Sequence, residues 1–149
     1  MTGYVIAIIG IALCVFACGC GSAIGLYKTG QAGAGVLAEN PKKFSKVLVF
    51  VVLPATNGIY GFVMAILAQS YLPSITTVSQ GLSLFFALLP LTVVGFVAAI
   101  YQAKCSVASI YAIAKDESLS GKLLLFPAMI ETYTILALVV SILLLSVVV

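Results

Sequence analysis

The sequence predicts an all-α membrane protein with four transmembrane helices, arranged as two tandem duplicated helical hairpins. Three observations carry this. The chain of 149 residues is 63% hydrophobic and 7% charged, with no His and no Trp, and its mean hydropathy is +1.28. Soluble domains of this length do not have that composition. Four apolar stretches each reach the roughly 20 residues a spanning helix needs. The two halves also repeat, without a gap, at an offset of 76 residues. The net charge of +3 comes from lysines spread over loops and helix ends. No basic patch interleaves with aromatics, so nucleic acid is not an expected partner.

The first span is expected over Val5–Leu26. MTGYVIAIIG carries no positive charge ahead of its apolar run, so it reads as a retained membrane helix and not as a cleaved signal peptide. Gly21-Ser-Ala-Ile-Gly25 is a GxxxG pattern, followed by Gly30, Gly33 and Gly35. Small residues of this kind let membrane helices approach backbone to backbone. Gly21–Thr29 ends in Lys-Thr but lacks the Gly before Lys that a phosphate loop requires, which excludes a nucleotide site there. KTGQAGAGVLA continues without a breaker, so this helix is expected to run past the hydrocarbon. The charged loop Ala38–Lys46 then leads to a second span, Val47–Leu72. Within it Pro54 deprives the Phe50 carbonyl of its helical donor and is expected to kink the helix.

An uncharged turn, Leu72–Gln80, has Pro73 as its turn signal. The third span, Leu82–Ile100, presents Gly95, Ala98 and Ala99, and continues through Ala103, Ser106 and Ala108 into KCSVASIYAIA. A second charged loop, Ala114–Lys122, precedes the fourth span, Leu123–Val149. The hairpin boundaries follow: residues 1–73 form the first hairpin and 74–149 the second. Because both loops bearing lysines, 39–46 and 115–122, fall on one side, the positive-inside rule places them in the cytoplasm and both termini outside. Lys28 and Lys104 occupy matching repeat positions and are expected to snorkel to that interface or to meet acidic groups. Cys14, Cys18, Cys20 and Cys105 lie in small-residue stretches and read as packing residues. Cys18-Gly19-Cys20 is not a metal spacing.

Glu131 is the acidic residue that cannot be placed in water. Lys122 is the last charge before it and none follows to Val149. Nine helical residues put the carboxylate about 13 Å inside the membrane, where an uncompensated ionisable group costs at least about 2.5–3.5 kcal/mol. Under the repeat Glu131 falls on Ala55, so one hairpin carries a carboxylate and the other none. Few other polar residues lie at that depth: Thr56, Asn57 and Tyr60 on the second helix, Gln102 on the third, and Thr132 and Tyr133 beside Glu131. Thr56 and Tyr60 share a helix face. Oxygens from Thr56, Asn57, Gln102 and Glu131, with a loosened backbone carbonyl near Pro54, would cage a hard monovalent cation. One carboxylate against one such ion makes a neutral site. Nothing in the chain forms an acid–base, nucleophile or metal-cluster constellation, so neither catalysis by the chain itself nor an organic cofactor is expected.

LPATNGIYGF on the second helix, YQAK on the third and MIETY on the fourth, with the NPKKF loop, resemble the proteolipid subunit (subunit K) of bacterial V-type ATPases, nearest to the sodium-translocating kind. The resemblance covers essentially the whole chain. It implies a homo-oligomeric ring of identical subunits in the bacterial plasma membrane, surrounded by lipid. The first and third helices would form the inner wall. Partners would be a stator membrane subunit with an essential Arg and the central stalk of an ATP-hydrolysing complex. Carried over, the Na+ site is the Leu53 carbonyl, Thr56, Gln102 and Glu131, with the Tyr60 hydroxyl holding Glu131. Asn57 stands where the sodium-type family has Gln, one methylene longer, which keeps H+ open as the carried ion. Two other readings are a four-helix cation-coupled antiporter, which would show an aromatic-lined cavity around Glu131, and a purely structural membrane protein or pore former.

Overall fold

A computed structural model describes residues 2–148, and among these every regular element is helical. The elements are α1 (Thr2–Glu39), α2 (Phe44–Val52), α3 (Ala55–Gln69), α4 (Val78–Lys115), α5 (Ser120–Leu123) and α6 (Leu125–Leu145), with short 3-10 turns at Pro41–Lys43, Leu72–Ser74 and Glu117–Leu119. α1 and α4 have 38 residues each, about 57 Å of helix against a hydrocarbon core of about 30 Å. Each is longer than that core and unbroken, as the sequence implied. Three helical stretches, Thr2–Glu39, Val78–Lys115 and Glu117–Leu145, are long and apolar enough to cross alone. The fourth crossing is a broken one: Pro41–Val52 and Ala55–Gln69 meet at a bend of 40°, and Leu53 and Pro54 lie between them.

The two long helices both end on an extended Asx residue, and at the first a proline follows it. The residue before a proline is pushed out of the α region, and Asn40, ahead of Pro41, is extended, its side chain accepting from Lys42 N–H. Asp116, at the matching repeat position, is also extended and accepts from Ser118 N–H. α4 starts on a reciprocal capping box between Thr77 and Gln80. Pro90 lies inside α4 without breaking it.

α1 packs along α4, α3 packs on α1, and α6 packs on α4. α3 and α6 touch each other over only a short stretch. Close approach depends on absent side chains at several glycines, two of which flank the helix break and the site. A Cβ on Gly25 would sit 2.6 Å from the Pro54 ring, and one on Gly61 would sit 2.5 Å from Cys18 Cβ. The GxxxG expectation therefore holds at Gly25, whereas Gly30 and Gly35 face open space in the single chain. Buried apolar residues form two clusters. One contains Cys14, Cys18, Met64, Leu84 and Leu88. The other, toward the charged loops, contains Val36, Val47, Phe50, Ile110 and Ile113. On each helix the buried polar residues fall between them.

The two charged loops are tied together. Buried Lys43 donates from Nζ to the Ala114 carbonyl (2.6 Å) and the Ile113 carbonyl (3.3 Å), satisfying acceptors that the end of α4 leaves without helical partners. Its Nζ is also 3.8 Å from Glu117. Exposed Lys46 pairs with Glu117 at 2.6 Å. The Lys46 ammonium holds the Glu117 carboxyl below its ordinary value, and hydrogen bonds from Ser118 do the same for Asp116. Lowered carboxyl values mean the contribution is present at neutral pH and disappears as the pH falls through the depressed range. Lys28 and Lys104 take no part in these pairs; Lys104 Nζ lies 4.8 Å over the Tyr101 ring.

An exposed pair is screened by solvent and contributes little, whereas charge-assisted bonds to helix-end carbonyls contribute about 1.5–3 kcal/mol. Lys43→Met is therefore expected to lower the thermal unfolding midpoint in detergent clearly more than Lys46→Met, and acidification is expected to erase the Lys46→Met difference first.

Candidate functional site

The site forms where α3, α4 and α6 converge. The Tyr60 hydroxyl donates to Glu131 Oε1 at 2.7 Å. Gln102 Nε2 donates to Glu131 Oε2 and to the Pro127 carbonyl, each at 3.4 Å. Asn57 Nδ2 donates to Gln102 Oε1 at 2.7 Å, and the Thr134 hydroxyl donates to Asn57 Oδ1 at 2.7 Å. Asn57, Gln102 and Thr134 are fully buried. One continuous chain of hydrogen bonds thus runs Thr134, Asn57, Gln102, Glu131, Tyr60 across three helices. The carboxylate is fed by neutral donors only; among the described residues the ion pairs are those of Lys43 and Lys46 with Glu117.

Thr56 and the Leu53 carbonyl form a second, adjoining set. The Thr56 hydroxyl donates to the Leu53 oxygen at 2.9 Å, and Thr56 N–H donates to the same oxygen at 3.2 Å. Of the six residues singled out in the sequence, four therefore share one network and the other two are bonded to each other. Thr132 and Tyr133 lie on the exposed face, with the Thr132 hydroxyl turned back to the Met129 carbonyl. The inward neighbour is Thr134. A sequence signal for it existed: Thr134 lies three residues beyond Glu131, on the same helix face.

The break at Leu53–Pro54 is held by α1. Ser22 Oγ donates to the Pro54 carbonyl at 2.7 Å and accepts from Gly58 N–H at 2.6 Å, bridging the first turn of α3. Thr29 donates to the Val51 carbonyl at 2.8 Å. The hydroxyls thus meet the carbonyls of Val51, Leu53 and Pro54, not the Phe50 carbonyl expected from the missing proline donor. At the break Leu53 and Pro54 keep right-handed helical angles, and the turn tightens so that Thr56 N–H reaches the Leu53 oxygen. Ser22 and Thr29 carried no signal of their own, since serine and threonine inside a small-residue helix read as packing. Among the described residues, one buried side-chain polar atom has no hydrogen-bond partner: the Ser106 hydroxyl, one turn along α4 from Gln102.

A groove of about 310 Å³ beside the site is lined by Val93, Val97, Tyr101, Ile130 and Tyr133 and opens at the surface. It does not enclose Glu131 as the antiporter reading requires. The four cysteines are free thiols; Cys14 and Cys18 are buried, and Cys18 lies against Gly61 and Gly95.

Fold and site together define a membrane protein of two related hairpins with one carboxylate between them. The family model for the ATP synthase C subunit matches twice, at residues 9–68 and 85–144, and the two matches stand at the same offset as the internal repeat. The chain belongs to this family. It is 40% identical over 142 residues to the V-type sodium ATPase subunit K of Enterococcus hirae, covering 95% of this chain and 91% of the relative. It is 41% identical over 141 residues to the A-type ATP synthase subunit K of Methanocaldococcus jannaschii, covering 95% of this chain and 62% of that one. A shorter similarity, 36% over 72 residues, links 48% of the chain to 40% of a V-type proton ATPase subunit of Arabidopsis thaliana.

Losing the Ser22 hydroxyl orphans groups at the break and is expected to cost about 1–3 kcal/mol. Ser22→Ala should accordingly lower the thermal midpoint in detergent by several degrees. Ser106→Ala, which removes a hydroxyl without a partner, should leave that midpoint unchanged or raise it.

Proposed function

We propose that this chain is the ion-carrying rotor subunit of a V-type rotary ATPase and carries Na+ by reversible binding at Glu131. The observation that supports this most is the placement of one carboxylate, fed by Tyr60 and Gln102, where the outer helices α3 and α6 meet in polar contacts. A carboxylate at membrane depth is kept to bind or move charge. A monovalent cation bound there would be neutralised by Glu131 and shielded by the Gln102 amide oxygen, the Thr56 hydroxyl and the Leu53 carbonyl, with Tyr60 closing over the carboxylate. The sodium ATPase named among the relatives supports the choice of ion.

In this reading identical copies form a ring with α1 and α4 on its inner wall. The apolar outer faces of α3 and α6 meet lipid and a stator subunit whose Arg displaces the ion from Glu131. The charged loops 39–46 and 115–122 face the cytoplasm and the central stalk, and both termini face outward. ATP hydrolysis belongs to the soluble head of the complex and not to this chain. The first hairpin, residues 1–73, supplies Tyr60, Thr56 and the Leu53 carbonyl, and the second, residues 74–149, supplies Gln102 and Glu131.

Proton carriage is the second reading. One observation favours it: the Thr56 hydroxyl and the Leu53 carbonyl satisfy each other, so a carboxyl and its Tyr60 partner would suffice.

Glu131→Gln is expected to abolish sodium-driven or ATP-driven transport in the reconstituted complex while the ring still assembles. Tyr60→Phe is expected to keep transport with a raised sodium requirement. Normal transport by Glu131→Gln would refute the reading. Transport that follows a proton gradient and ignores sodium would replace it with the second.

A further inference from the structure

We propose that Thr134 and Asn57 act as one orienting pair that holds Gln102 against Glu131, making both positioning residues for the carried ion. This rests on the reading of Glu131 as a sodium carrier.

Threonine hydroxyls within helices ordinarily donate back to a carbonyl three or four residues earlier. Thr56, Thr92 and Thr132 all do so here. Thr134 instead sends its proton across to Asn57 Oδ1 on α3. A carboxamide has one accepting end and one donating end. With its oxygen taken by Thr134, Asn57 can offer only Nδ2 to Gln102, and it does so at 2.7 Å. That bond fixes Gln102 in turn: Oε1 toward Asn57, Nε2 toward Glu131 and the Pro127 carbonyl. The carboxylate, which can only accept, sets the order of donors, and the Thr134 hydroxyl closes the chain by donating to the Asn57 oxygen, locking both amides in that orientation.

Three features make this an orienting device and not only helix glue. All three side chains are fully buried, so no water competes for their bonds. Thr134 and Glu131 share one face of α6, three residues apart, so the pair indexes Gln102 to the same helix that carries the carboxylate. Both ends of the Asn57 amide are also engaged within the protein, which leaves it one step removed from the ion. The short Asn57 amide is anchored from behind by the Thr134 hydroxyl. Gln102 is long and flexible, and ordering it before the ion arrives removes that cost from each binding event.

The test is carbodiimide labelling of Glu131 in the purified full-length assembly, at fixed pH, over a sodium titration. In the wild type, sodium is expected to protect Glu131. Thr134→Val keeps the shape and loses the hydroxyl; it is expected to raise the half-protecting sodium concentration about tenfold, as Asn57→Ala does. Thr134→Ser restores the donor and should stay within about twofold of wild type. The double variant should be no weaker than Asn57→Ala alone, because the two act as a unit. If Thr134→Val does not assemble, Thr134→Ala is read in the same way. A protected wild type with Thr134→Val titrating like it overturns the proposal and leaves the sodium reading standing. A wild type that sodium does not protect overturns both.

Discussion

A carboxylate inside a membrane-spanning helix must be hydrogen-bonded, paired or neutralised, and the interior of this protein is arranged around that requirement. Glu131 cannot reach water along its own helix, because apolar residues lie on both sides of it in sequence. The Tyr60 hydroxyl and the Gln102 amide take its two oxygens. Those groups are polar too and need their own partners, so the requirement propagates outward to Asn57 and then to Thr134. The chain ends on a hydroxyl, which can accept or donate as its surroundings demand. A buried polar layer results, with apolar clusters on either side of it.

The same layer explains why the second crossing is broken. Pro54 cannot donate, and unpaired carbonyls at membrane depth are costly. α1 supplies Ser22 and Thr29 to those carbonyls, and Gly25 allows α1 to come close enough to do so. At the matching repeat positions of α4 stand Ala98 and Cys105, which have no hydroxyl. α4 has instead gained Gln102 where α1 has Leu26. The two hairpins have diverged into complementary roles. α1 of the first secures a broken neighbour, and α4 of the second supports a charged one. Only together do they complete a site.

Much of this was legible in the sequence because membrane composition restricts the choices. Long apolar runs, the 76-residue repeat and a single carboxylate at depth define two hairpins and their chemical centre before any coordinates. Glu131, Gln102, Asn57 and Tyr60 are visible as polar residues with no other reason to be there. What was not legible depends on rotation about helix axes and on pairing between helices. Thr132, Tyr133 and Thr134 are equally polar on the page, and only the packing of α6 turns the last inward. Thr56 and Leu53 read as two separate oxygens, yet the local bond between them needs the backbone of the bend. Lys43 and Lys46 look alike in NPKKFSK, and only the end of α4 makes one a helix cap and leaves the other in water.

The most direct measurement is equilibrium binding of radioactive sodium to the detergent-purified assembly at neutral pH. Saturable binding of one sodium per chain, lost in Glu131→Gln, is the expected result. Binding that fails to saturate, or that survives in Glu131→Gln, would contradict a site built around that carboxylate.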